Sequence, residues 1–266
     1  MLKKSITITA VLLIFQLARA QDTTKFTAET LKLYPILWQQ TAAEYRALCY
    51  QAFNIATMRI DDVIKREPGK NNLAIITDLD ETVLNNSNVT AQMIKTGKDV
   101  NSQEWLQWIK TVDPPVVPGA VEFLQYAASK KINVFYISNR EVSGLQFTLS
   151  ILQKLGLPNA DTSHMLFLSK DFSKEPRRQV VMKNYDVVLL LGDNLNDFMR
   201  VFEEKPIAER LKETDHVKEE WGRKFIVLPN ATYGEWENAL FDYKDSLSFD
   251  QIMTTLKAEL QGIDKK

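Results

Sequence analysis

Three acids stand within four positions at Asp78, Asp80 and Glu81, directly after the apolar run Leu73-Ala74-Ile75-Ile76. Like charges this close repel, so each needs water, a partner or a cation. Other apolar runs end in polar residues of complementary chemistry. VFYI leads into Ser138-Asn139-Arg140, and MLFL into Ser169-Lys170-Asp171 with Lys174 close behind. VVLLL leads into Gly192-Asp193-Asn194-Leu195-Asn196-Asp197. Carboxylates, a hydroxyl, amides and a lysine together suit phosphoryl transfer. A hard cation such as Mg²⁺ takes carboxylate and carbonyl oxygens and keeps several waters. An aspartate beside it can attack phosphorus and form an aspartyl-phosphate. A second carboxylate two residues on can protonate the leaving oxygen and later activate water. The transferring group is negative, so a lysine and hydroxyl or backbone donors must face it.

Taken singly, each signal has a plainer reading. Asp-x-Asp after a strand is ordinary turn chemistry. Serines cap helices, and Lys174 in SKEPRR reads as part of a solvated basic face. Gly192 after five apolar residues is stronger, because glycine lets backbone approach a ligand closely. A calcium loop fails on spacing. Counted from Asp78, Val83 stands where glycine is needed and Val89 where the closing Glu is needed; counted from Asp193, Glu204 closes the loop but Phe198 occupies the glycine position.

The order and placement of these residues depend on the elements that carry them. Strands are expected at about 73–77, 133–138, 165–168, 187–191 and 225–228. Helices are expected at about 119–131, 142–155, 175–184, 197–220 and 248–261. Near-continuous apolar strands alternating with helices imply a parallel sheet covered on both faces. Such sheets bind ligands beyond the carboxyl ends of their strands, which is where every polar cluster above falls. Before the sheet, residues 27–66 are helical by pattern, with Tyr34, Trp38, Tyr45, Cys49, Ala52, Ala56, Ile60 and Val63 on one apolar face. Pro35 breaks or starts a helix there. The expected fold is α/β, a Rossmann-like parallel sheet with helices on both faces, plus an N-terminal helical annex.

The first twenty residues differ from the rest. Lys3 and Lys4 precede a mostly apolar stretch, too short to span a bilayer comfortably, that ends in Ala18-Arg19-Ala20. This is the pattern of a cleaved export signal over 1–20, with a helical region over 21–70 and a core over 71–266. With no cysteine near the cleavage point, a periplasmic or secreted enzyme without a lipid anchor is expected. The net charge of −1 carries no polybasic footprint for nucleic acid or anionic lipid. Cys49 is the single cysteine of 266 residues, which excludes an intrachain disulfide and a thiolate metal cluster.

The motifs are recognisable as a set. Asp78-Leu79-Asp80-Glu81-Thr82, Ser138, Lys174 and Gly192-Asp193-Asn194-Leu195-Asn196-Asp197 resemble the four ordered motifs of the haloacid dehalogenase superfamily. More narrowly, the stretches at 37–56, VPGAVEFL, FYISNR, GDNLNDF and LPNATYGEWE resemble the class C non-specific acid phosphatases, which include bacterial surface 5′-nucleotidases. The resemblance implies that Asp78 is the nucleophile and Asp80 the general acid/base, with its backbone carbonyl on Mg²⁺. Asp193 would complete the metal ligands, and Asp197 would orient the metal's water shell or the lysine. Ser138, Asn139 and Lys174 would hold the phosphate, with Lys170 and Lys183 as competitors for the lysine role. A small cap or insert is implied around 85–117. An aromatic clamp for the substrate's base is implied at Tyr233 with Trp105 or Trp108. The substrate would be a small phosphomonoester, a nucleoside monophosphate first among them, hydrolysed at mildly acidic pH because Asp80 must carry a proton to donate. A homodimer through the N-terminal helices is compatible with the pattern. Glu81 has no assigned role.

Overall fold

A computed structural model describes residues 27–97, 102–168 and 170–263. The export signal read at 1–20, and Ser169, lie outside the described residues. The chain enters through a short 3-10 turn into α1 (Leu33–Thr41) and the long α2 (Ala43–Arg66), then reaches β1 (Leu73–Thr77). Two helices follow, α3 (Ser87–Thr96) and α4 (Ser102–Thr111), then α5 (Ala120–Ser129) and β2 (Asn133–Glu141). Next come α6 (Leu145–Lys154), β3 (Met165–Leu168), α7 (Glu175–Met182) and β4 (Asp186–Gly192). The chain ends with α8 (Ile207–His216), β5 (Phe225–Val227), α9 (Glu235–Leu240) and α10 (Phe249–Glu259). The strands pair in parallel in the order β3-β2-β1-β4-β5, which puts β1 at the centre.

Both faces of the sheet are covered, as the apolar strands predict. Alternation along the strands sends Ile75, Val134, Tyr136, Leu189 and Leu191 into one core and Ala74, Ile76, Phe135, Ile137 and Leu190 into the other. The first core is sealed by α2, α5 and α6 through Tyr45, Phe53, Ala56, Phe123, Leu124 and Leu152. The second is closed by Val181 of α7 and by Phe198. Cys49 is fully buried in the first core, as a small hydrophobe.

Three expectations change. Tyr34 is 83% exposed, outside the apolar face it was placed on. Pro35, read as breaking or starting a helix, does the second and sits in the first turn of α1, where a missing N–H costs nothing. The helix expected over 197–220 is instead two 3-10 turns, Leu195–Asp197 and Arg200–Phe202, then α8 and a third turn, Lys218–Glu220. Pro206 is the reason, since it stands at the N-cap of α8 and cannot continue a helix through its own position. Strand β2 also runs past Ser138 to Glu141, with a register shift between those two residues.

The contact of α2 with α5 can be tested alone. Phe53 and Phe123 are each 3% exposed with ring centroids 5.6 Å apart. Phe53→Ala is expected to lower stability by about 3–5 kcal/mol, read from the midpoint of urea unfolding.

Candidate active site

The register of the sheet lines up the polar strand ends. Thr77 pairs with Tyr136 on one side and Leu191 on the other, and the Asp78 N–H donates to Leu191 O at 2.9 Å. Asp78, Ser138 and Asp193 therefore leave three adjacent strands at one edge. They border a cleft of about 1030 Å³ together with Asp80, Lys174 and Asp197.

Lys174 is the centre of the charge arrangement. It stands at the N-cap of α7, 8% exposed. Its ammonium donates to Asp78 Oδ1 and, at 2.6 Å, to Asp197 Oδ1. Burial works against the charged amine, but the two carboxylates outweigh it and raise its pKa. Lys170 and Lys183 are exposed, so of the three lysines in this part of the chain the fold brings Lys174 to the acids. Asp197 has its other oxygen on the Asn194 N–H at 3.0 Å. Gly192 makes that possible: a Cβ there would lie 2.3 Å from Asp197 Oδ2. The glycine thus admits a side chain of the protein itself, where the sequence pointed to a ligand.

Asp78, Asp193 and Asp197 each offer an oxygen within 4.8 Å of the others. Thr82 Oγ1 donates to Asp193 Oδ1 at 3.3 Å and Asn230 Nδ2 to its Oδ2 at 2.7 Å. Burial, with the neighbouring carboxylates, pushes Asp78 up to about 7 despite Lys174, and raises Asp193 well above its ordinary range. A hard divalent cation fits this donor set, which is all oxygen and carries more negative charge than Lys174 offsets. Both oxygens of Asp193 and both of Asp197 accept hydrogen bonds from the protein, while Asp78 has one oxygen on Lys174, so a cation entering the cluster would share these carboxylates with their present donors.

Asp80 has a different environment. Arg140 Nε donates to both of its oxygens at 3.1 Å and Nη2 donates to Oδ1 at 2.7 Å. Asn86 Nδ2 adds a bond at 2.7 Å and Ser138 Oγ one at 3.4 Å. Burial would raise the Asp80 carboxyl, yet the Arg140 guanidinium and the Asn86 amide hold it below the usual range. A proton on Asp80, on which the expected acidic working range rested, therefore competes with the Arg140 pair. Asn139 borders the cleft, with its side chain tying two loops: Nδ2 donates to Phe172 O at 3.0 Å, and Oδ1 accepts from Arg177.

Of the clamp residues, Tyr233 and Trp105 border the cleft. Trp108 does not; it packs against the core with its indole nitrogen buried. The Tyr233 hydroxyl donates to Glu81, whose carboxylate also accepts from the Asn86 N–H at 2.8 Å. Glu81 is 2% exposed and holds a left-handed backbone at φ 58. Burial and Asp80 push its carboxyl up to about 7. Asn86 and Asn230 are site residues that sequence reasoning missed, and Arg140 was named at the end of its strand without being given a role. The side it faces was within reach, because strand periodicity puts it with Ser138 once β2 is extended.

Two measurements check this geometry. Gly192→Ala is expected to displace Asp197, costing about 1–3 kcal/mol of stability and most of the turnover. Asp78 and Glu81, ordinarily at 3.8 and 4.5, both reach about 7 when folded. Folding is therefore favoured by their protons below about pH 4, and that contribution is lost as the pH rises to about 7. The chelator-treated protein is expected to melt lower at about pH 8 than at about pH 5, with Mg²⁺ raising the melting temperature more at the higher pH. A Mg²⁺ effect that is equal at both, or absent, would remove the cluster as a cation site.

With the geometry in hand, comparison with known proteins gives the family. The model for HAD superfamily, subfamily IIIB (acid phosphatase), matches residues 10–236. Two solved structures of the class C acid phosphatase from Bacillus anthracis, one with tungstate bound, are similar in fold and sequence. Each has a TM-score of 0.84 and 37% identity, over 89% of this chain and 99% of its own. A parallel sheet that gathers acids at its central strand end thus has solved counterparts over nearly its whole length, and the chain belongs to the acid phosphatases of HAD subfamily IIIB.

Proposed function

We propose that this acid phosphatase is Mg²⁺-dependent, acts on nucleoside 5′-monophosphates, and proceeds through a phosphoryl group carried on Asp78. The observation that carries the reading is the pairing at the end of β1. Asp78 lies in a buried cluster with Lys174, and Asp80, two residues on, is held apart from it by Arg140. In the first step Asp78 Oδ attacks phosphorus, the bond to the leaving oxygen breaks, and Asp80 gives that oxygen its proton. In the second, Asp80 takes a proton from water, the water oxygen attacks phosphorus, and Asp78 is released with inorganic phosphate. Lys174 faces the charge of the transferring group. Mg²⁺ held by Asp78 and Asp193, with the Asp80 carbonyl, would supply charge neutralisation at the phosphoryl oxygens. Ser138 stands beside Asp80, and its hydroxyl, which donates to that carboxylate at 3.4 Å, would turn from it to meet the phosphate.

The Bacillus anthracis relative with tungstate bound supports the capture of a tetrahedral oxyanion by this fold. The size of the cleft and the Tyr233 ring at its border support a substrate larger than phosphate, with a base stacked on an aromatic face. Export through the segment at 1–20 is part of the proposal, since outside the membrane barrier the reaction frees phosphate and a transportable nucleoside.

The test is phosphate release from adenosine monophosphate at about pH 5 to 7, with Mg²⁺ and then with excess chelator, beside Asp78→Asn. Release is expected to need the metal and to fall by at least about 10³-fold in the variant. Turnover that survives in Asp78→Asn would sink the nucleophile assignment. An equal rate for a plain alkyl phosphate would sink the nucleotide.

A further inference from the structure

Arg140 is 4% exposed, and all three of its guanidinium nitrogens are engaged away from the Asp78–Lys174 pair. Nε and Nη2 form a fork on the Asp80 carboxylate, and Nη1 donates to Thr148 Oγ1 of α6 at 3.0 Å. The guanidinium carbon lies 5.8 Å from the ring centroid of Trp105 on α4. The two buried cations of the site thus divide the acids between them. Lys174 serves Asp78 and Asp197, while Arg140 serves Asp80.

We propose that Arg140 is the positioning residue for Asp80, with its guanidinium braced by Trp105 on one side and Thr148 on the other. The proposal rests on the reading of Asp80 as the group that protonates the leaving oxygen. A planar fork on both carboxylate oxygens fixes the rotation of that carboxylate, which a point charge cannot do. Trp105 closes one face of the fork by a cation–π contact, and α6 holds the far nitrogen through Thr148. The orientation of the acid is thereby tied to α4, inserted between β1 and β2, and to α6, which follows β2.

The experiment compares kcat/KM for two esters, since this ratio reports steps only as far as departure of the leaving group. An alkyl ester such as ribose 5-phosphate needs a proton on its leaving oxygen, and 2,4-dinitrophenyl phosphate does not. Asp80→Asn is the reference, expected to lose far more with the alkyl ester. Equal losses with both esters in that variant would remove the general-acid reading, and with it the role given to Arg140. Given a reference that behaves as expected, Arg140→Gln should lose about 10²-fold more with the alkyl ester than with the dinitrophenyl ester. The inhibition constant of inorganic phosphate should stay near that of the parent enzyme. A uniform loss with weakened phosphate inhibition would make Arg140 a phosphate ligand, and no loss would make it a bystander; either overturns the proposal. Arg140→Lys keeps the charge in case Gln does not fold, and should show the same ester dependence. Full activity in Arg140→Lys would overturn the role of the fork. Trp105→Leu should lower the rate for ribose 5-phosphate, which carries no base, and an unchanged rate there would overturn the brace.

Discussion

Lys174 carries its ammonium into a site that is otherwise dominated by carboxylates, and the surrounding structure serves to hold it there. A charge taken out of water must be matched at close range by partners with good geometry. Asp78 and Asp197 supply the match, and each is fixed in turn. Asp78 is held by its backbone bond to β4. Asp197 is held by the Asn194 N–H and by the missing side chain at Gly192. Arg178, 1% exposed, donates to the carbonyls of Asn196 and Asp197 at 2.7 and 3.0 Å, which pins the turn that presents Asp197. Replacing any one of these supports would free a buried charge as well as remove a bond.

Two cations at one strand edge could have shared all the acids. They do not, and the separation matters for the chemistry. Under the mechanism proposed above, Asp78 would be ionised when it attacks, while Asp80 would exchange a proton during the same cycle. Holding Asp78 with a flexible point donor and Asp80 with a rigid fork gives the two carboxylates different surroundings although they leave the same strand end.

The strand ends were legible in the sequence because a buried parallel strand announces itself as a short apolar run, and anything charged after it has to be accounted for. That logic found Asp78, Asp80, Ser138 and Asp193 directly. It found Lys174 only as one of three lysines, because burial of an amine cannot be read from a basic stretch such as SKEPRR. It missed Asn86 and Asn230, whose residue type is ordinary in loops and whose partners are 6 and 37 positions away. Arg140 was named after its strand but left without a role, because its fork on Asp80 joins two strands and cannot be read from one strand end. The helix drawn through Pro206 was a failure of a different kind, in which amphipathic periodicity was weighed above a residue that cannot donate to the helix interior.

Tyr233 and Glu81 meet across 152 positions of sequence, and Asn230 reaches back to Asp193 from beyond the last strand. The central strand, with Asp78 after it, therefore emerges from synthesis long before the residues that complete its surroundings. Long-range closures of this kind come late in folding, because the entropy of the intervening loop must be overcome before the contact forms. A chain ending at Leu228 retains all five strands, but it lacks the hydroxyl on Glu81 and the amide on Asp193. The surroundings of Glu81 and Asp193 are thus completed only when the segment after β5 has docked.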